Sequence, residues 1–317
     1  MSGADGSTRT VLVIDRDARW FCDALADCPG YRFVPSAGGV PSAGRHAQVL
    51  VGLAPAITAA VVDELPHLAW VHALTTGVDN LLALPNLGRD VALTNSRGVH
   101  GPQMSEMALM LMMACVRRLP AMLRHQAEGR WERWPQPLLL GKTVCIVGLG
   151  AIAEALAERC LAFGMRVTGV SDARTQVPGF ARLYRREALQ DAAAEADFLV
   201  VVVPYGASTR HLVDAAVLQC MKPSAVLVNL ARGGCVDEAA LARHLRDGRL
   251  AAAACDVFQT EPLPPDDPLW QLPNLIVTPH VGGQSDVYAQ QLLPLLRRNL
   301  VGYAEAGRRA LENLVPR

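Results

Sequence analysis

The stretch Val144-Cys145-Ile146-Val147-Gly148-Leu149-Gly150-Ala151-Ile152-Ala153 constrains this chain more than any other. A short apolar run without a polar interruption reads as a parallel strand covered on both faces. It stops at Gly-x-Gly-x-x-Ala and passes into Glu154-Ala155-Leu156-Ala157-Glu158-Arg159, all good helix formers. Gly148 permits a tight turn, Gly150 lets the backbone approach a pyrophosphate, and Ala153 is small enough for close helix–strand packing. The N-terminal end of the helix attracts such an anion. Gly-x-Gly alone is also an ordinary turn. The strand before it and the helix after it supply the context of a dinucleotide site.

At 317 residues the chain has room for two domains, each with its own core. A composition 51% hydrophobic and 19% charged suits a folded enzyme rather than a disordered segment. Thirty basic and thirty acidic residues cancel, which removes the electrostatic case for nucleic acid or an anionic membrane. No apolar run approaches the ~20 residues that span a bilayer. Met1–Gly6 lacks the basic and apolar regions of a signal peptide and reads as a frayed polar leader. The eight cysteines (Cys22, Cys28, Cys115, Cys145, Cys160, Cys220, Cys235, Cys255) form no CxxC pair, and several sit in apolar runs where a thiol packs as a small hydrophobe. A reduced, cytoplasmic setting follows, and no metal site has support.

Ahead of the glycine turn, strands are expected at Thr10–Ile14, His46–Leu53, Leu68–Leu74 and Val91–Thr94, with helices at Ala18–Ala26 and Ile57–Leu65. This alternation predicts a small parallel-sheet domain. Gly101-Pro102 punctuates the chain. A Met- and Leu-rich helix follows from Met104 to Arg117, expected to continue, bent at Pro120, through Gln126. Its apolar character predicts a buried or subunit-facing helix. Beyond the turn, strands are expected at Arg166–Val170, Phe198–Val203, Ala225–Leu230, Ala251–Asp256 and Leu275–Thr278, and helices at Leu183–Ala196, Val213–Met221 and Asp237–Leu245. Repeated strand–helix units imply right-handed crossovers and a doubly wound sheet. A last amphipathic helix, Asp286 to Ala306, is expected to return to the first domain. The domains are therefore read as 1–101 with 286–317, and 102–285, with the two crossings as a hinge.

Ligands of open α/β sheets bind beyond the carboxyl ends of strands. Three strands of the second domain end there in Asn229-Leu230-Ala231-Arg232-Gly233-Gly234, in Val257-Phe258-Gln259-Thr260-Glu261-Pro262 and in Thr278-Pro279-His280-Val281-Gly282-Gly283. Arg232 suits a carboxylate, which its planar fork grips with two hydrogen bonds. His280 can give or take a proton near neutral pH. Glu261 beside it would orient the imidazole and keep it protonated for a reduction. Singly, each has a plainer role: a surface charge, a turn former, a loop cap. Their order, each just past a strand downstream of one nucleotide fold, makes a shared site the better explanation.

The chain resembles the NAD(P)-dependent D-isomer-specific 2-hydroxyacid dehydrogenases, a family that includes glyoxylate/hydroxypyruvate reductases. The resemblance runs through Leu74-Thr75-Thr76-Gly77-Val78-Asp79-Asn80, Thr94-Asn95-Ser96-Arg97-Gly98-Val99, Ser105-Glu106, Leu140-Gly141-Lys142-Thr143, the glycine turn, Val203-Pro204-Tyr205, Met221-Lys222-Pro223 and the Arg, Glu and His segments. It implies two doubly wound parallel-sheet domains, a flavodoxin-like substrate domain and a Rossmann nucleotide-binding domain. It implies further that Arg232 holds the substrate carboxylate, that His280 is the acid/base and Glu261 its partner, and that backbone amides of Thr76, Gly77 and Val78 bind the carboxylate from the other domain. Gly148, Gly150, Ala151 and Ile152 are implied to line the pyrophosphate, and Val203, Pro204, Ala231 and Asp256 the rest of the cofactor, with domain closure excluding water. A homodimer through Met104–Arg117 and a small 2-oxo acid as substrate are expected on the same ground.

The end of the strand after the glycine turn, Val170-Ser171-Asp172-Ala173-Arg174, bears on the cofactor. An acid there hydrogen-bonds the ribose of NAD, whereas an Arg accommodates the extra phosphate of NADP. Ser171 and Arg174 suit NADP(H) and Asp172 suits NAD(H), so the sequence leaves both open. His67, His72, His125, His211 and His244 read as packing or surface residues, and His100, at the crossing, as one that could touch substrate. Tyr205 reads as a cofactor-cleft or structural residue, and nothing in the sequence activates Cys235 or Cys255 as a nucleophile. The alternative is a non-catalytic NAD(H)-sensing protein of the corepressor type on the same fold.

Overall fold

The computed structural model describes residues 8–317; the polar leader read at Met1–Gly6 lies outside the described residues. The chain falls into two compact units, one running to Val99 and resuming over Ser285–Arg317, the other His100–Gln284. The first carries β1 (Arg9–Ile14), α1 (Ala18–Ala24), β2 (Tyr31–Ser36), β3 (Val49–Gly52), α2 (Ala59–Asp63), β4 (Trp70–Ala73), α3 (Asp79–Leu82) and β5 (Ala92–Asn95). The second carries α4 (Gly101–Val116), α5 (Leu119–Ala127), β6 (Thr143–Val147), α6 (Ala151–Ala162), β7 (Arg166–Val170), β8 (Arg182–Tyr184), α7 (Leu189–Glu195), β9 (Phe198–Val201), α8 (Ala215–Cys220), β10 (Val226–Asn229), α9 (Glu238–Arg246), β11 (Ala252–Cys255) and β12 (Leu275–Val277). The last helix, α10 (Tyr288–Ala306), belongs to the first unit.

Both sheets are parallel throughout their paired strands, with orders β2-β1-β3-β4-β5 and β12-β11-β10-β9-β6-β7-β8. The first is the flavodoxin-like order, and the second is the Rossmann order with a seventh strand added. Successive strand side chains point to opposite faces, and both faces are filled. In the second unit Cys145 and Val147 enter one core with α7, α8 and α9, while Val144 and Ile146 enter another with α4 and α6. In the first unit Val11 and Val13 pack with α1 and α10, and Leu12 and Ile14 with α2 and α3. The chain order reverses between β6 and β9, which places the switch point, and the usual ligand crevice, at the Gly148 turn.

Three of the differences from the sequence-based expectation have a clear physical cause. The helix read through Gln126 stops at Val116: Arg118 adopts a left-handed conformation and α5 begins at Leu119, with Pro120 in its first turn. A proline lacks the amide that a helix interior needs but fits a first turn, so the chain breaks before it rather than bending at it. The helical pattern from Leu183 is instead strand β8 as far as Tyr184, pairing with Gly169 and Val170 of β7, before a 3-10 turn and α7. Strand β2, not expected at all, contains Pro35, which is tolerated because β2 is the sheet's edge.

Candidate active site

The glycine turn has the backbone its sequence demands. Gly148 has φ +100, and a Cβ there would come within 2.8 Å of Val203 Cγ1 and 3.0 Å of the Val202 carbonyl. Val203 is buried against the turn, and the Pro204 carbonyl accepts from Thr209 Oγ1 at 2.8 Å. Gly150 caps α6 with no side-chain hydrogen bond, and a Cβ at Gly150 would meet nothing within 4 Å. The first-turn amides of Ala151, Ile152 and Ala153 donate to no acceptor among the described residues and lie at the positive end of a three-turn helix. That cradle fits a pyrophosphate.

At the end of β7, Ser171 Oγ accepts from the amides of Ala173 and Arg174, each at 3.2 Å. Asp172 accepts from the Arg186 amide at 2.9 Å and pairs with Arg186 Nε at 3.3 Å. The guanidinium of Arg174 meets Glu154 of α6.

The three loops beyond β10, β11 and β12 converge. Asn229, 1% exposed at the end of β10, accepts from the Ala231 amide at 3.1 Å and donates to the Arg232 carbonyl at 3.1 Å, fixing the turn that carries Arg232. Gly233 lies under the next loop: a Cβ there would be 1.9 Å from the carbonyl carbon of Phe258 and 2.1 Å from the amide of Gln259. Tyr205 lies over Gly234, whose added Cβ would meet the phenol ring at 2.6 Å. Glu238 Oε1 accepts from the Gln259 amide at 2.6 Å, and burial pushes the Glu238 carboxyl above its ordinary range.

Glu261 uses both oxygens. Oε1 accepts from the Phe258 amide at 2.9 Å, and Oε2 lies 2.6 Å from His280 Nδ1. Burial by itself raises the Glu261 carboxyl, but the hydrogen bonds from His280 and Phe258 and the charges of His280 and Arg232 outweigh it and leave the carboxyl below its ordinary range. An ionised carboxylate only accepts, so Nδ1 carries the proton of that hydrogen bond. Nε2 makes no hydrogen bond among the described residues and is the nitrogen left for a reacting group.

His280 is one of four non-glycine residues with positive φ among the described residues, at +53. Asp256, 2% exposed, holds it there from behind. Its Oδ1 accepts from Thr278 Oγ1 at 2.7 Å and the Val281 amide at 3.0 Å, and Oδ2 from the Gly282 amide at 2.8 Å. The carboxylate thus grips the chain on both sides of the imidazole. The resemblance implies a cofactor-lining role for Asp256; nothing local in the sequence shows that both its oxygens are engaged across the sheet. Asn229 escaped the sequence reading for the same reason. His100 is buried beside Gly283, behind this loop.

In the first unit the loop after β4 turns its carbonyls inward: that of Thr75 accepts from the Ser96 amide, that of Thr76 from Asn95 Nδ2, and that of Gly77 from Thr75 Oγ1. The amides of Gly77 and Val78 donate to no acceptor among the described residues. Cys235 and Cys255 are buried, and burial raises the Cys255 thiol. No helix among the described residues is long and apolar enough to cross a membrane.

A dinucleotide crevice at a sheet's switch point, with an arginine and a carboxylate-paired imidazole beyond the neighbouring strands, defines a nicotinamide-dependent oxidoreductase. Residues 109–282 match the family model described as D-isomer specific 2-hydroxyacid dehydrogenase, NAD binding domain. The glyoxylate reductase of Korarchaeum cryptofilum is 33% identical over 255 residues, 78% of this chain and 76% of that one. A D-isomer specific 2-hydroxyacid dehydrogenase family protein from Aeromonas salmonicida superposes with a TM-score of 0.89 at 32% identity, covering 98% and 99% of the two chains. An NADPH-dependent glyoxylate/hydroxypyruvate reductase from Sinorhizobium meliloti, solved with NADP and sulfate, gives 0.80 at 28% identity, covering 97% and 98%. The chain belongs to the D-isomer specific 2-hydroxyacid dehydrogenase family and is an NAD(P)-dependent dehydrogenase.

Proposed function

We propose that this enzyme reduces a small 2-oxo acid, of the glyoxylate or hydroxypyruvate kind, to the D-2-hydroxy acid. The observation that carries the reading is the 2.6 Å pairing of His280 with Glu261 on a carboxylate that also feels the charge of Arg232. When bound, the nicotinamide supplies a hydride to the keto carbon. His280, protonated at Nε2, gives its proton to the keto oxygen, and Glu261 holds the ring's tautomer and stabilises the imidazolium. Arg232 grips the carboxylate and polarises the keto oxygen. Gly148 and Gly150 leave room for the pyrophosphate, which the Ala151 and Ile152 amides bind, and Val203, Pro204 and Ala231 line the crevice wall. Asp256 acts through the loop that carries His280.

The enzyme works in the cytoplasm as a homodimer that buries the outward side of α4. Met110 and Met113 on that helix, with Leu119 and Leu123 on α5, are exposed apolar side chains that need a partner. The test is a panel of 2-oxo acids assayed for oxidation of NADH and of NADPH. Turnover of glyoxylate or hydroxypyruvate is expected. Tight NADH or NADPH binding with no turnover of any 2-oxo acid would replace this reading with that of a nucleotide-sensing protein.

A further inference from the structure

Which of the two nicotinamide dinucleotides the crevice selects is decided at the end of β7, next to the glycine turn in the sheet: the Gly148 amide donates to the Val170 carbonyl at 3.0 Å. We propose that the Ser171–Arg174 turn seats the 2′-phosphate of NADP(H), so that the protein selects NADP(H) over NAD(H). This rests on the dinucleotide reading of the Gly148–Ile152 turn.

Selecting NAD requires a carboxylate with an oxygen open to the ribose hydroxyls. Asp172 is the only acid in the turn, and, although about half exposed, it is held by a backbone amide as well as by a guanidinium. One oxygen accepts from the Arg186 amide at 2.9 Å, and the other pairs with Arg186 Nε at 3.3 Å. Arg186 is tied in turn to the Ser208 carbonyl at 3.0 Å. The first position past the strand is Ser171. Its oxygen already accepts two amides, and its hydroxyl proton remains available to a phosphate oxygen.

The cations complete the argument. Arg185 Nη1 donates to the Asp172 carbonyl at 3.0 Å, so its guanidinium lies on the turn, and it has no carboxylate within ion-pair distance among the described residues. Arg174 is paired with Glu154, but both side chains are more than a third exposed, and such a pair is weakly held and readily exchanged for a doubly charged phosphate. Three arginines face two carboxylates here, which leaves the turn positive where a phosphate adds and a bare hydroxyl does not.

Isothermal titration of the purified protein with NADPH, NADH, 2′,5′-ADP and 5′-ADP tests this without turnover. NADPH should bind at least about tenfold more tightly than NADH, and 2′,5′-ADP more tightly than 5′-ADP, since one or two charge-assisted hydrogen bonds give that ratio. The preference should shrink as salt rises. Ser171→Asp should remove the preference by weakening NADPH while sparing NADH, and Arg185→Ala should reduce it in part. NADH binding as tightly as NADPH to the unaltered protein would overturn the proposal and leave the dinucleotide site standing. Failure of both dinucleotides to bind would remove the site itself.

Discussion

At the scale of single residues, two histidines show how surroundings divide one side chain between chemistry and structure. His280 is 44% exposed, strained at φ +53 and bonded through Nδ1 to a carboxylate. A left-handed non-glycine conformation costs free energy and persists only where neighbours enforce it, here the three hydrogen bonds accepted by Asp256. His280→Gln keeps a donor toward Glu261 and removes the ring nitrogen that faces the reacting group. Reduction should fall at least about a hundredfold while NAD(P)H binding by fluorescence titration stays nearly unchanged. Equal loss of both would deny His280 its acid/base role. His72 is the contrast. It is fully buried in β4, with Nδ1 2.8 Å from Thr94 Oγ1 and Nε2 3.4 Å from Ser96 Oγ. A consistent chain runs from Trp70 Nε1 to Thr94, from Thr94 to His72, from His72 to Ser96 and on to the Ala73 carbonyl, with the ring neutral. Burial pushes its pKa down from 6.5 to about 4. The unfolded chain therefore takes up a proton first, so stability is full above pH 6.5 and falls as pH drops from 6.5 toward 4, by about 3 kcal/mol from this group. Urea titrations at pH 7.5 and pH 4.5 check this, and His72→Asn should flatten the dependence. An unchanged slope in that variant would assign the acid sensitivity elsewhere.

At the scale of elements, the site depends on two loops lying backbone to backbone. Gly233 has an ordinary φ, so its need for glycine is one of space: the Phe258–Gln259 peptide occupies the place a Cβ would take. The contact couples the turn that carries Arg232 to the loop that carries Glu261. Gly233→Ala should force the two apart, lower kcat/KM at least about tenfold and cost about 1–3 kcal/mol of stability, read from steady-state kinetics and a thermal melt. Wild-type kinetics in that variant would mean the loops adjust independently. Elements were legible in the sequence where one periodicity held. The uninterrupted apolar strands β1, β6, β9 and β10 and the helices after them follow from alternation and helix propensity alone. The misreadings came where two signals competed. Leu183 and Tyr184 begin what looks like a helical pattern, yet pairing with β7 and burial of Tyr184 make them strand. Pro35 hid β2 because a proline argues against a strand until its edge position is known.

At the scale of the whole molecule, the second unit leaves Met110, Met113, Leu119, Leu123, Leu138 and Leu140 exposed on α4, α5 and the segment that follows, and Trp131 is 86% exposed. The sequence marked the Met-rich stretch as either buried or subunit-facing. In the structure Met104, Met107, Leu111 and Met112 enter the unit's own core, which bears out burial, while Met110 and Met113 are exposed. Sedimentation velocity should give a particle of twice the chain mass, and Met110→Glu combined with Leu123→Glu should give the single chain. A monomer before mutation would refute the dimer. The amino-acid sequence by itself determined the two α/β sheets, the glycine turn and the order in which Arg232, Glu261 and His280 leave their strands. Strand periodicity, helix propensity and turn sterics act over a few residues and can be read along the chain. Only the tertiary structure decided that Asp256 clasps the His280 loop, that Asn229 fixes the turn of Arg232, and that Asp172 is bonded by Arg186. Those hydrogen bonds join loops brought side by side by the order of strands in the sheet, and that order is set by packing between residues far apart in sequence.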